Sequence, residues 1–201
     1  MSFDTSGREF VCKYVAESKK TGLLEVGKCT RDSSHKGPNL HLGICLIKGS
    51  AFDYSLQKLT ELGATHICPL TSERSQVRLN AERLSRKANH WQAVVTSAAE
   101  QCGRLTVPAI TSPQTLESYL KTPTAEQKFI LDPAAQTKMV EADPVDTALL
   151  IGPEGGFTEP EIALSLQHGY QRMRLGRSIL RADTAGVAAL AVLQQLMGWP
   201  D

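Results

Sequence analysis

The stretch Leu149-Leu150-Ile151-Gly152-Pro153-Glu154-Gly155-Gly156-Phe157-Thr158-Glu159-Pro160-Glu161 constrains this chain more than any other. It reads as a buried apolar strand, a glycine-rich turn and the start of a helix. Thr158 suits an N-cap, Pro160 suits the first turn, and Glu161 stands three residues after the cap. Glycines between strand and helix let backbone N–H and C=O groups approach a ligand without side-chain obstruction. By itself such a turn is more often only a turn. A second element follows at Leu175-Gly176-Arg177-Ser178-Ile179-Leu180-Arg181-Ala182-Asp183-Thr184-Ala185, so the pair points to one small-molecule site built largely from backbone. The first loop is neither GxGxxG nor GxxxxGKS, and readings as a dinucleotide or nucleotide-phosphate enzyme lose support.

Around these loops the pattern is α/β. Residues 8–16 and 22–30 read as short strands separated by Ser18-Lys19-Lys20-Thr21, and a turn-rich stretch runs from Arg31 to Asn39. Leu40 to Ile47 is apolar enough for a buried central strand. Helix 51–62 carries Phe52, Leu56, Leu59 and Leu62 at helical spacing, with Gly63 as its stop. A strand at Thr65–Leu70 precedes a long helix over about 80–101, striped by Leu84, Ala88, Trp91, Val95 and Ala98 and ended by Gly103. A short helix near 114–120, strands at 127–131, 147–151 and 170–175, and a helix over 181–197 complete the unit. Alternation of this kind argues for a largely parallel sheet. The predicted boundary between a small β region and the α/β domain lies near 38–43.

Composition excludes several classes. The chain has 201 residues, 41% apolar and 21% charged, and a net charge of +1, so it is not a polybasic binder overall. No apolar run reaches the roughly 18–20 residues that span a bilayer. The N-terminus shows no basic stretch followed by an apolar one, which points to the cytoplasm. Five widely spaced cysteines contain no CxxC, and no Cys/His cluster has zinc-ligand spacing, so neither a metal nor a disulfide framework is expected. Charge is local instead. Arg74, Arg78, Arg83, Arg86 and Lys87 form one basic stretch, and Arg172, Arg174, Arg177 and Arg181 another. Such patches fit phosphate contact on one face, against the blander reading of solvated surface.

GPEGGF followed by LGRSILRADTA and an Ala/Val/Leu helix resembles the C-terminal end of the RsmE family. These are bacterial 16S ribosomal RNA uridine N3-methyltransferases of the SPOUT class, whose methylase domain is a trefoil knot. Lys48-Gly49, Gln57-Lys58-Leu59-Thr60-Glu61-Leu62-Gly63, Ser72-Glu73-Arg74, Trp91 and Glu100-Gln101-Cys102-Gly103-Arg104 follow in the family's order, and the resemblance spans roughly residues 44 to 197. It implies an α/β SPOUT-type knotted methylase domain over 42–201 with a parallel sheet, preceded over 1–41 by a partial PUA-like β-barrel. Phe3 to Phe10 resembles the middle of that barrel, so its first strands are expected to be absent. An incomplete barrel exposes strand edges and apolar surface.

The resemblance also implies S-adenosyl-L-methionine as cofactor. Its site would take Leu131 and Pro133 from one loop, Ile151, Gly152 and Gly155 from the second, and Leu175, Gly176, Ser178, Ile179 and Leu180 from the third. Arg104, Arg181 and Glu154 are the catalytic candidates, and Arg74, Arg104 and Arg177 the RNA-binding ones. Arginine suits a developing uracil anion, being permanently charged with several donors. Glu154 is either a base or an ordering group for its loop. Blander readings stand beside these: Asp132 as a helix cap, Asp183-Thr184 as a cap, Arg104 on helix carbonyls and Ser72–Arg74 as a surface turn. The family commonly has Glu at Asp183, Arg at Ser178 and Ser at Cys102. The expected partners are small-subunit ribosomal RNA and a second copy of the chain, since SPOUT sites usually form at a homodimer interface; the apolar residues Val187, Leu190, Leu193, Leu196 and Met197 would be available for packing or serve the core. Two alternatives remain: a non-catalytic RNA-binding or assembly protein on this fold, and a SPOUT methylase with another RNA target.

Overall fold

A computed structural model describes residues 2–3, 7–17, 21–32, 37–77, 81–122, 125–138 and 141–198. The expected turn at Ser18–Lys20, Arg78, and the side chains of Arg83 and Leu84 fall outside the described residues.

Two sheets form. The first is antiparallel, in the order β1 (Ser2–Phe3), β2 (Arg8–Glu17), β3 (Gly22–Asp32). The second contains β4 (Leu40–Cys45), β5 (His66–Thr71), the two-residue strands β6 (Ala109–Ile110) and β7 (Gln114–Thr115), β8 (Gln127–Leu131), β9 (Thr147–Ile151) and β10 (Gln171–Met173). Its order is β10-β8-β9-β4-β5-β6, with β7 also on β5, and its strand pairs are parallel. β4 begins at Leu40, so Leu40 and His41 already belong to the parallel sheet: His41 pairs with His66 and Ala148. The antiparallel sheet thus ends at Asp32 and the parallel sheet begins at Leu40.

Among the described residues five helices accompany the parallel sheet. These are α1 (Ala51–Glu61), α2 (Ala81–Cys102), α3 (Leu116–Leu120), α4 (Glu159–Gln167) and α5 (Ala182–Leu196). One core joins Leu42, Ile44, Leu149 and Ile151 to Phe52 and Leu56 of α1, Trp91 and Val95 of α2, and Leu190 and Leu193 of α5. The other joins Cys45, Leu70, Ala148 and Leu150 to Leu116, Tyr119 and Leu120 of α3 and Ile162 of α4. Successive side chains on a strand point to opposite faces, so these two clusters are the two faces of one sheet. Leu190, Leu193 and Met197 thus serve the core, the default role read for that helix. β9 is buried at all five positions, as a strand covered on both faces must be.

Local signals are realised where they are short-range. Thr158 caps α4 and forms a complete capping box: its side chain accepts from Glu161 N, and the Glu161 carboxylate accepts from Thr158 N at 2.8 Å. Gly63 and Gly103 end α1 and α2 with positive φ, at 89° and 75°. Asp183 does not cap α5. Arg181 holds the N-cap position without a side-chain bond, and Asp183 lies inside the first turn, where its charge favours the helix N-terminus.

The antiparallel sheet is a different surface. Val11, Tyr14, Val15, Leu23, Leu24 and Val26 on it are all exposed. Its base is tied by Glu9, whose carboxylate accepts from Arg31 Nε at 2.8 Å and Nη2 at 2.9 Å.

Gly43 sits where a Cβ would come within 2.8–2.9 Å of Leu150, Tyr119 and Leu70 side chains. Gly43→Ala is expected to destabilise the fold by ~1–3 kcal/mol through overpacking, read from urea denaturation. A second expectation concerns His41, which stacks on His66 with ring centroids 4.4 Å apart. Burial and then the His66 charge hold its pKa below the ordinary value, with Asp146 opposing. The unfolded chain therefore binds the proton more readily. This contribution to stability is complete above the unfolded value of about 6.5 and is lost as pH falls below it. Urea midpoints at pH 5.5 and 7.5 should differ less in His41→Gln than in the parent.

Candidate functional site

Parallel strands deliver their C-terminal ends to one edge of the sheet, and ligands in such sheets bind in the crevice beyond those ends. Here a cavity of about 730 Å³ opens at the ends of β4, β8, β9 and β10. Ile47 and Lys48 reach it after β4, Leu131 to Ala134 after β8, Ile151 to Phe157 after β9, and Met173 to Gly176 after β10. The chain from Ser178 into the start of α5 closes the remaining side.

Each wall is held by bonds between segments distant in sequence. Asp132 is buried and ion-paired with Arg172; its Oδ1 accepts from Ala134 N at 3.0 Å, and its own N–H donates to Met173 O at 3.0 Å. Asp132 thus caps no helix; it forms a turn and anchors the loop after β8 to β10. Glu154 accepts from Lys48 N at 3.3 Å, tying the glycine loop to the end of β4. Arg74 Nη1 donates to Gly155 O at 2.8 Å, and Glu73 N donates to Glu161 Oε1 at 2.8 Å. Thr158 Oγ1 lies 3.2 Å from Glu73 Oε2. Ser72–Arg74 is therefore no plain surface turn. It clamps the glycine loop and the start of α4.

All ten residues expected to hold the cofactor line this one cavity: Leu131, Pro133, Ile151, Gly152, Gly155, Leu175, Gly176, Ser178, Ile179 and Leu180. Arg74, Glu154 and Arg181 line it too. Arg181 is 84% exposed at its side chain, with Nη2 at 3.6 Å from Asp183 Oδ2. Arg177 is exposed and stands outside the lining.

Arg104 is placed elsewhere. Its Nη1 donates to Thr60 O at 2.6 Å and Ala64 O at 2.9 Å, and it is not part of the cavity wall. Burial lowers its pKa from the ordinary value, but a guanidinium stays charged at any working pH. It neutralises carbonyls at the C-terminal end of α1, where a helix has unsatisfied acceptors. Within this chain Arg104 therefore stands apart from the cavity, with Nη1 held by backbone carbonyls. The blander reading had the right chemistry, but the carbonyls belong to another helix.

Sequence reasoning missed Arg174, Met173 and Phe157 as wall residues. In the sequence Arg174 shows only as part of a basic run; it follows β10 directly and lines the cavity, while Met173 before it is buried in the core. The chemistry of the walls suits a ligand with a flat apolar part and polar ends. Ile151, Leu131 and Ile179 are apolar, charged groups stand around them, and at Gly176 an added Cβ would meet nothing within 4 Å.

Residues 35–194 match the family model for the RNA methyltransferase domain. The chain belongs to this RNA methyltransferase domain family. Among curated relatives, "Ribosomal RNA small subunit methyltransferase E" of Synechocystis sp. is 35% identical over 78% of this chain and 53% of its own length. The protein of the same name from Buchnera aphidicola subsp. Schizaphis graminum is 36% identical over 79% of this chain and 66% of its own. The chain thus spans about half to two thirds of these relatives. Among solved structures, a Legionella pneumophila methyltransferase with bound SAM superposes with a TM-score of 0.92 at 33% identity, over 96% of this chain and 81% of that one. A Neisseria gonorrhoeae ribosomal RNA small subunit methyltransferase E bound to S-adenosyl methionine gives 0.87 at 33% identity, with the same coverage. Among the described residues no helix is long and apolar enough to cross a membrane.

Arg74→Ala removes the side-chain tie to Gly155 O. Faster amide hydrogen exchange is expected over 153–157, with global stability changed by less than about 1 kcal/mol, as befits one exposed hydrogen bond.

Proposed function

We propose that this chain binds S-adenosyl-L-methionine and transfers its methyl group to N3 of a uridine in 16S ribosomal RNA of the small subunit. The observation that carries the reading is the convergence of three loops on one cavity. Those after β8 and β9 and the segment from β10 into α5 meet there, and every residue expected to hold the cofactor lies on its wall. The names of the relatives, and the bound ligands of the Legionella and Neisseria structures, support the same reading.

In this reading Ile151, Gly152 and Gly155, with Leu131 and Pro133, and Leu175 to Leu180 hold the cofactor. Once bound, the cofactor supplies an electrophilic methyl group on a sulfonium. The protein has to align uracil N3 with that methyl group and stabilise the charge that develops on the base. Arg181 is suited to the second task, being exposed at the cavity edge with Asp183 steadying its guanidinium. Glu154 orders the glycine loop through Lys48 N; its position in the cavity wall also keeps it as the candidate base for the N3 proton. Uracil N3 is used in Watson–Crick pairing, so the target must be unpaired or extruded. Arg74 and the exposed Arg177 are the candidates for contact with RNA phosphates in this reading.

The proposal includes the SPOUT trefoil knot, action in the cytoplasm and a homodimer. Ile179, 80% exposed at the cavity edge, is apolar surface that a second copy would cover. The antiparallel sheet is read as part of a PUA-like RNA-binding region.

Titration calorimetry with S-adenosylmethionine should show saturable binding. Gly155→Val should weaken it at least tenfold. A Cβ there already stands 3.4 Å from Arg74 Cβ and Cδ, and the extra methyls would displace the clamp. Unmethylated 30S subunits should then gain one methyl group at a uridine N3, read by mass spectrometry. A folded protein that binds no S-adenosylmethionine would leave the non-catalytic RNA-binding reading in the lead.

A further inference from the structure

Arg174 stands directly after β10, on the cavity wall and half-buried. Its backbone is fixed by a bond from its N–H to Thr137 O at 3.0 Å and by a parallel bridge to Lys138. Its guanidinium is not satisfied. Nε is shielded from solvent and has no hydrogen-bond partner, and no carboxylate lies within ion-pair distance among the described residues.

The acids on the same wall are already engaged. Asp132 is held by Arg172, which also lies 3.6 Å from Glu159. Glu154 accepts from Lys48 N, and Asp183 faces Arg181. The wall therefore presents one partly desolvated cation with no internal counter-charge. A donor nitrogen shielded from water and left without a partner is costly, and a ligand anion offsets that cost.

Resting on the cofactor reading above, we propose that Arg174 binds the amino-acid carboxylate of S-adenosylmethionine. A guanidinium fork matches a planar carboxylate and can bond it in bidentate fashion. An RNA phosphate is the other anion the reaction brings. It belongs to a bulky polymer and is better met by the exposed Arg177 and Arg181 than by a half-buried group. Arg174 is thus a binding residue for the cofactor's amino-acid end. Its neighbour Met173 points into the core.

The test compares two ligands that share the thioadenosine part. S-adenosylhomocysteine carries the carboxylate, and 5′-methylthioadenosine lacks it. Calorimetry on the full chain should show Arg174→Met weakening S-adenosylhomocysteine roughly 10- to 100-fold, with 5′-methylthioadenosine within about twofold of the parent. Arg174→Lys, which keeps the charge but not the fork, should fall between. Equal weakening of both ligands would overturn the proposal in favour of a packing role. Unchanged affinity for both would overturn it as well, and a raised KM for 30S subunits would then assign Arg174 to RNA phosphate. A folded parent protein that binds neither ligand is a separate failure: it removes the cofactor reading itself. Melting curves of both variants guard against misfolding, and Arg174→Lys keeps the test open if Arg174→Met does not fold.

Discussion

Everything in the α/β unit depends on the burial of β9 between β4 and β8. Thr147–Ile151 is covered on both faces, with Leu149 and Ile151 in one core and Ala148 and Leu150 in the other. Removing such side chains from water stabilises by about 25 cal/mol per Å² of apolar surface. A parallel strand fixed in this way has no freedom of register, because a one-residue slip would exchange its two faces. Its end at Ile151 therefore points to one place, next to the ends of β4 and β8. The cavity is a consequence of this register, and the glycine loop is what the chain must do to leave the strand and enter α4.

The loops around the cavity are not left to their own preferences. The clamp of Glu73 and Arg74 on the glycine loop, Lys48 N on Glu154, and Arg172 on Asp132 join segments that the sheet brings together. Each bond is modest by itself, but several acting on one loop reduce the freedom a ligand would otherwise have to remove. The side formed by residues 177–181 contrasts with this. Its side chains are exposed, including Ile179, and no comparable network ties them among the described residues. The firm side of the cavity suits recognition of a small ligand. The open side suits a larger partner, which is the division the proposed reaction needs.

Much of this was legible in advance, for local reasons. The capping box of Thr158 and Glu161 spans three residues and forms wherever helix entry is needed. Gly63 and Gly103 mark helix ends because positive φ costs glycine little. The residues that line the cavity from the loops after β8, β9 and β10 were legible through resemblance of their motifs. Arg104 shows the limit. Its motif is at a helix end, yet its partners Thr60 O and Ala64 O lie 44 and 40 residues earlier. No local pattern carries that information.

The sequence by itself determined the alternation of strands and helices, the buried character of β4 and β9, and the two glycine-containing loops, because periodicity, propensity and φ preferences act over a few residues. Tertiary structure alone decided which side chains meet. It sent Arg104 to the end of α1, turned Arg74 onto Gly155 O, paired Arg172 with Asp132, and left Arg174 on the cavity wall without a counter-charge. The physical reason is that charge pairing depends on distances of a few ångströms, and these are set by sheet order and register, not by separation along the chain.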